Sequence, residues 1–440
     1  MTPDSKLFLR YVIPSMASML IAGSFCIVDT IFIGQGLGEL GLAAVGISWP
    51  IVMFFSAAAD MIGCGAAVLI SQARGANEPN DAQKSFQNMV WLQCVVTLVL
   101  TVLILLELKP IMYCMGINEE LMPIGFEYIR IMVLYSFVGV FMMGGVAVIR
   151  NDGHPVLAML MEIIGLSMNI LLDWAFIIHW RFGASGAAWA TICSQIVACL
   201  IAFWYFLSPH TNLRFTWGCF VPDWRRIREI LVTGIPIFGN SLIILVMLAM
   251  HNYQSLRYGG KEGLAAYTLL SSIEALGSLL MTGLGTGVQP MVAFLHGARE
   301  HKRKAHIGKM GIQTAFGIGI LIFLVSLILK DYMPGWTGLS GETAKLASHG
   351  VMISLSAFLL LGVIRVASYY YQATEQIVQA NILIYGDACF ALPLCLFVLP
   401  LWLGIDGVWW AMPASRVILF VILCGLWKYR INHPQVLLKD

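Results

Sequence analysis

The sequence predicts an all-α membrane protein of about twelve transmembrane helices, arranged as two pseudo-symmetric six-helix lobes around a central cleft. Three observations predict it. The 440 residues are 59% hydrophobic and only 11% charged, against about 25% charged in an ordinary globular domain, so most of the chain belongs in lipid. Apolar runs recur between short polar breaks, each near the ~20 residues a helix needs to cross a bilayer, and they lack the alternation of barrel strands. Finally, the second half repeats the first. Ile13-Pro14 meets Ile235-Pro236, and the same shift carries Gly41-Leu42-Ala43-Ala44 onto Gly263-Leu264-Ala265-Ala266. Gly186-Ala187-Ala188-Trp189 meets Gly407-Val408-Trp409-Trp410 one position short of that shift. A duplicated membrane chain commonly builds two lobes that alternate access to a site between them.

The first lobe takes residues 1–207, with spans at 7–33, 42–71, 84–107, 122–149, 155–180 and 184–207. Runs longer than the minimum imply tilt or extension beyond the lipid. Pro14 sits early in the first span, where a proline removes one helical hydrogen bond, and Asp29 follows about four turns on. That pairing marks Pro14 as a candidate hinge responding to protonation or ion binding. Asn151-Asp152-Gly153-His154-Pro155 reads as a turn, since Gly frees the backbone and Pro restarts a helix. The polar stretch 208–227 reads as a cytoplasmic linker. The second lobe, 228–440, holds spans at 228–257, 263–296, 305–329, 343–372, 377–402 and 405–428, with Pro236 in the place of Pro14.

A net charge of +2 gives no reason to expect nucleic acid. The placement of charge is more informative. Only Lys109, Arg130, Arg181, Arg257, Lys261, Lys330 and Lys345 fall on one side of the membrane, and most of the 26 Lys and Arg fall on the other. The positive-inside rule then puts both termini in the cytoplasm, for a multi-pass protein of the bacterial inner membrane. The cluster Arg299, Lys302, Arg303, Lys304 and Lys309 suits orientation and contact with anionic head groups. Eight of the ten cysteines fall inside spans and no CxxC occurs, so neither disulfides nor zinc are expected. The first apolar run is too long for a signal peptide.

Ionised acids in the bilayer cost ~2.5–3.5 kcal/mol on insertion scales, so each intramembrane charge needs an account. The chief set is Asp29, Asn169, Asp173 and Thr191. Asn169 and Asp173 share a helix face, Glu162 extends that stripe toward the cytoplasm, and the tight turn at Gly183–Gly186 returns Thr191 alongside. Two carboxylates, an amide oxygen and a hydroxyl form an all-oxygen set of the kind hard cations prefer. The same set could take up protons, because two acids in a low-dielectric pocket do not both ionise readily. It could also be a satisfied polar cluster that glues helices. Asp60 and Glu274, in the second span of each lobe, are candidates to hold a cationic substrate, and so is Asp387. Arg365, Asp387 and Arg416 could instead pair among themselves. His251 occupies the repeat position of Asp29.

Several stretches resemble the multidrug and toxic compound extrusion (MATE) family. They are Pro14-Ser15-Met16 through Ile27-Val28-Asp29-Thr30-Ile31-Phe32-Ile33-Gly34, Gln72-Ala73-Arg74-Gly75-Ala76, Met168-Asn169-Ile170-Leu171-Leu172-Asp173 and Gly186-Ala187-Ala188-Trp189-Ala190-Thr191. The resemblance implies export of cationic, amphipathic compounds in exchange for Na+ or H+. In one branch the acid of the first helix, an Asn/Asp pair in the fifth and a Thr in the sixth form a cation site, and Asp29, Asn169, Asp173 and Thr191 match it. Another branch carries a Glu in helix seven and an Asp in helix ten. Here no Glu lies between Glu229 and Glu262, and helix ten offers Arg365, which speaks against a second ion site of that kind.

Together these readings predict a secondary antiporter, not an enzyme, with no cofactor beyond Na+ or H+ and no obligate protein partner. No GxxxxGK[ST] motif supplies ATP, and no nucleophile or metal constellation rises above turn chemistry. The alternative is a flippase for a lipid-linked sugar or other anionic lipid, which would line its cleft with Arg and Lys. The excess of intramembrane acids favours small organic cations as cargo.

Overall fold

Two helices of this chain are too long to be single spans. The computed structural model describes residues 2–209, 211–216, 219, 221–337 and 339–432, without the side chains of 241–246, 336 and 429–432. Four linker positions (210, 217, 218 and 220) and the tail from 433 lie outside that description. In it α1 runs Pro3–Gly75 and α8 runs Trp224–Gly297. Each is interrupted at one glycine. Gly38 adopts φ 68°, ψ −163° and Gly260 adopts φ 61°, ψ −155°, backbone that an L side chain strongly resists. Each long helix therefore holds two spans joined at a corner.

Those corners are separated by the same shift as Pro14 and Pro236, and they are not alone. Positive φ recurs in register at Asn77 (60°) and Arg299 (58°), and at Gly153 (98°) and Glu375 (62°). Gly183 (67°) and Gly404 (59°) follow one position short of it, like the sequence motif beside them. The duplication is thus written in the turns, including residues whose chemistry has diverged completely.

Among the described residues all regular structure is helical. In the first half come α2 (Pro79–Leu106), α3 (Leu108–Cys114), α4 (Met122–Leu134), α5 (Ser136–Asn151), α6 (Pro155–Asp173) and α7 (Gly183–Leu207). In the second come α9 (His301–Leu329), α10 (Met333–Trp336), α11 (Gly341–Ser354), α12 (Phe358–Ala373), α13 (Ile377–Gly386), α14 (Leu392–Val398), α15 (Pro400–Leu403) and α16 (Ile405–Asn432). Among the described residues nine helices are long and apolar enough to span, and α4 with α5 makes a tenth across a 52° bend. Dividing α1 and α8 at their glycine corners brings the number to the expected twelve. At the α4–α5 bend the Thr101 hydroxyl from α2 lies 3.3 Å from the Val133 carbonyl and 3.1 Å from the Ser136 hydroxyl. It supplies partners where the helical ladder is broken.

One compact unit comprises Ile13–Phe238 with Ala293–Arg299. Its interior has two apolar clusters, one around Phe86, Ile149, Met161 and Tyr205 and another around Met112, Tyr128, Ile129 and Ala188. Leu98, Leu106 and Leu200 point outward and exposed, as lipid-facing side chains do. The turn after α5 is locked: Asp152 accepts hydrogen bonds from Tyr205 (2.5 Å) and Thr211 (2.5 Å) and pairs with Arg74 at 3.2 Å. The polar stretch before α8 is docked rather than loose. Gln83 donates to the Arg214 carbonyl, Gln87 to Thr216, and Asn88 accepts from the Asp223 amide. Asp223 then caps α8 by accepting from the amides of Arg225 and Arg226, the usual service of an N-cap aspartate.

The other unit comprises the residues up to Val12, Gly239–Val292, and those from Glu300 on. Trp409, Phe358, Leu270 and Val351 fill its main core. Helix α9 lies along α12, so close that a Cβ on Gly319 would stand 2.2 Å from the Phe358 carbonyl oxygen. Small residues at such crossings allow the contact that holds membrane helices together.

Candidate functional site

The residues of the N-terminal oxygen set come from three helices of one unit. Asp29 lies on α1 two and a half turns before the Gly38 corner, Asn169 and Asp173 lie one turn apart at the end of α6, and Thr191 lies on α7. Helix α6 packs along α7. After Asp173 the helix widens into a π-helical turn, Trp174–His179, a local defect often found where a helix carries function. A Cβ on Gly36 would collide with Ile177 of that turn, so the end of the first span sits directly against the segment following Asp173.

All four are buried: Asn169 is fully enclosed, Asp173 is 1% exposed, Thr191 6% and Asp29 8%. The Asp29 carboxyl interacts with the side chains of Asp173, Asn169 and Thr191. None of these approaches is aligned as a hydrogen bond, and Asp29 Oδ1, Asp173 Oδ2 and both polar atoms of Asn169 are buried without a hydrogen-bond partner. Thr191 donates its hydroxyl proton to the Ala187 carbonyl at 3.1 Å, which leaves its oxygen free to act as a ligand. Buried polar atoms without partners are costly. Here they converge on one place, and oxygen donors so arranged fit a small hard cation or a shared proton. Among the described residues no three His, Cys, Asp or Glu side chains converge, so the set does not resemble a zinc site. Tyr128 on α4, 1% exposed, lies within electrostatic reach of Asp29 and Asp173. Nothing in its sequence context, between Glu127 and Ile129, singles it out.

Asp60 and Glu162 belong to a second cluster in the same unit, around Arg150 of α5. Arg150 is 5% exposed and its Nε has no partner. Glu162 is thereby associated with Asp60 and Arg150 rather than with the Asp29 set. Arg150 was not a candidate from sequence, because it ends a helix next to a turn and resembles an ordinary interfacial cation. Pro14 is buried in α1, where the one departure from helical backbone is at Gly38.

In the other unit Asp387 forms an ion pair with Arg416, and Arg365 donates to Asn240. Asp387 opens a second π-helical turn, Asp387–Ala391. Glu274, 8% exposed, lies within electrostatic reach of Arg416. His251 is buried, with Nδ1 3.0 Å from the Met247 carbonyl and its ring stacked on Tyr267 at 5.1 Å. The repeat position of Asp29 thus holds a packed imidazole.

The MatE family profile matches residues 14–175 and again 236–396. Those two segments start in the repeat register and end one position short of it, as the turns do. The multidrug export protein MepA of Staphylococcus aureus (strain MSSA476) is 22% identical over 412 residues, 93% of this chain and 90% of that protein. A MATE crystal structure in a bent conformation superposes with a TM-score of 0.92 at 23% identity, over 100% of this chain and 98% of the other. A MATE structure in a straight conformation gives 0.91 at 24%, over 98% and 97%.

Proposed function

This chain belongs to the MatE family, and from that premise we propose that it is a secondary active antiporter exporting cationic amphipathic drugs or toxins in exchange for Na+ or H+. The coupling ion is taken up at Asp29, Asn169, Asp173 and Thr191. The observation that carries this reading is the convergence of buried oxygens from three helices on the Asp29 carboxyl, those of Asp29, Asn169 and Asp173 including atoms without a hydrogen-bond partner. Adjacent carboxylates in a low-dielectric site need a positive charge between them, and a cation from the gradient supplies it. The oxygen set is complete for Na+; a proton would satisfy the same pair.

The cycle follows from population shift. A vacant, anionic site favours the state that holds a cationic drug. Arrival of the ion neutralises it and favours the state that releases the drug. Coupling requires only that ion and drug prefer different states. Pro14 weakens α1 by one hydrogen bond and is the proposed hinge through which occupancy at Asp29 bends that helix. Family members crystallised in bent and straight conformations support such a motion. Asp60 and Glu274 remain the acids proposed to attract cationic cargo. Asp387 is a weaker candidate, because Arg416 already neutralises it. The multidrug export named for the Staphylococcus relative supports the cargo class, and both termini are proposed to face the cytoplasm of the inner membrane.

The test is efflux of a fluorescent organic cation from everted vesicles under an imposed Na+ or H+ gradient, with Asp29→Asn beside the wild type. Loss of gradient-driven efflux in the variant supports the assignment. Equal efflux by both proteins under either gradient would falsify the coupling role of Asp29.

A further inference from the structure

The second unit contains a polar cavity that ion coupling leaves unused. Its polar lining is Asn240, Arg365, Ser368, Asp387 and Arg416. Leu361, Ile364 and Leu383 are among the apolar residues of its walls. Two guanidinium groups and one carboxylate share the space. Asp387 is engaged by Arg416, so one positive charge is compensated within the protein.

Arg365 forms no ion pair among the described residues, although Asp387 and Tyr369 lie within its electrostatic reach. Its hydrogen-bond partner is the neutral amide oxygen of Asn240, and its Nε is buried without a partner. Arg416 is 4% exposed, and its Nε is likewise partnerless although it lines the same cavity. Ser368 turns its hydroxyl proton back to the Ile364 carbonyl, so it does not donate into the cavity. Glu274 and His251 lie near Arg416, but neither lines the cavity. Taken as ionised, the lining groups carry one net positive charge. An intramembrane cation without a counter-charge is expensive and calls for an anionic partner.

We propose that this cavity binds the carboxylate of a small amphipathic organic acid, seated on Arg365 with its apolar body against the aliphatic wall. The chemistry selects that class. A guanidinium fork matches a carboxylate through paired N–H donors, a monoanion balances the single excess charge, and a dianion would meet Asp387 with a charge left over. An apolar body suits walls of Leu and Ile. The cavity shares no residue with the ion set, which lies in the other unit.

Binding is measured at equilibrium, by calorimetry on the full chain in phosphatidylcholine nanodiscs, with benzoate as probe and the isosteric neutral benzamide as control. Benzoate is expected to bind and benzamide to bind at least tenfold more weakly. Arg365→Gln is expected to weaken benzoate at least tenfold, and Arg365→Lys by less. Ser368→Asp, which places a competing carboxylate inside the cavity, is expected to abolish benzoate binding even if Arg365→Gln does not fold. Equal binding of benzoate and benzamide, or benzoate binding that survives Ser368→Asp or Arg365→Gln, overturns the proposal. Because transport is not measured, a failed antiport assignment does not touch this result.

Discussion

Gly75 and Gly297, equivalent positions of the two repeats, make the same contact in opposite directions. A Cβ on Gly75 would lie 1.9 Å from the carbonyl oxygen of Phe294, and a Cβ on Gly297 would lie 1.9 Å from the carbonyl oxygen of Gln72. Gln72 and Phe294 are themselves equivalent positions, so the contact is related to itself by the duplication. Both obstacles are backbone, which cannot swing aside as a flexible side chain would. Gly75→Ala and Gly297→Ala are each expected to destabilise the protein by about 1–3 kcal/mol, the range for forced overpacking. The double variant should lose less than the sum, because one displacement relieves both clashes. Thermal unfolding of the purified variants checks this, and unchanged melting in either single variant contradicts it.

The corner glycines should respond through a different mechanism. A Cβ on Gly38 or Gly260 would meet nothing within 4 Å, so space is not the obstacle; positive φ is. Alanine at either position is expected to cost about 1–2 kcal/mol, similarly in the two repeats. A melting curve in which Gly38→Ala or Gly260→Ala matches the wild type would remove the argument that backbone handedness sets these corners.

For the oxygen set, Asp29→Asn and Asp173→Asn preserve size and remove charge. Each should retain a normal elution profile while gradient-driven efflux falls at least tenfold. Thr191→Val removes one of the proposed ligand oxygens and leaves both acids, so its loss should be several-fold only. Equal losses across all three variants would point to a packing role instead.

The turn after α5 offers a purely structural test. Tyr205 donates to Asp152 at 2.5 Å in a buried setting, and a hydrogen bond to a charged group contributes about 1.5–3 kcal/mol. Tyr205→Phe should lower stability by that order without changing the ion dependence of transport. A shift in ion dependence would reveal coupling between the turn and the site.

Cysteine labelling tests the topology. Cys114 is exposed at the end of α3 and is expected to react with an impermeant maleimide added to intact cells. Cys219 is buried in the stretch before α8, and that burial pushes its thiol pKa up, so it should remain unlabelled even in opened membranes. Labelling of Cys114 only after the membranes are opened reverses the assigned orientation.

What the amino-acid order determined by itself is periodic or translational. Apolar runs specify spans because hydrocarbon demands them over a length set by the bilayer, and Pro14 with Pro236 declared the duplication without any coordinates. The spacing of Asn169 and Asp173 placed two donors on one helix face, because one helical turn is a local quantity. Tertiary structure alone decided which distant charges meet. It joined Arg150 to Asp60 and Glu162, gave Asp387 to Arg416, left Arg365 with an amide, and set Tyr128 beside Asp29. Those pairings depend on the rotation and approach of separate helices, and no period along one chain encodes where a second helix will present its face. The corners at Gly38 and Gly260 escaped for a related reason: glycine permits positive φ at every position, but only packing on both sides compels it at one.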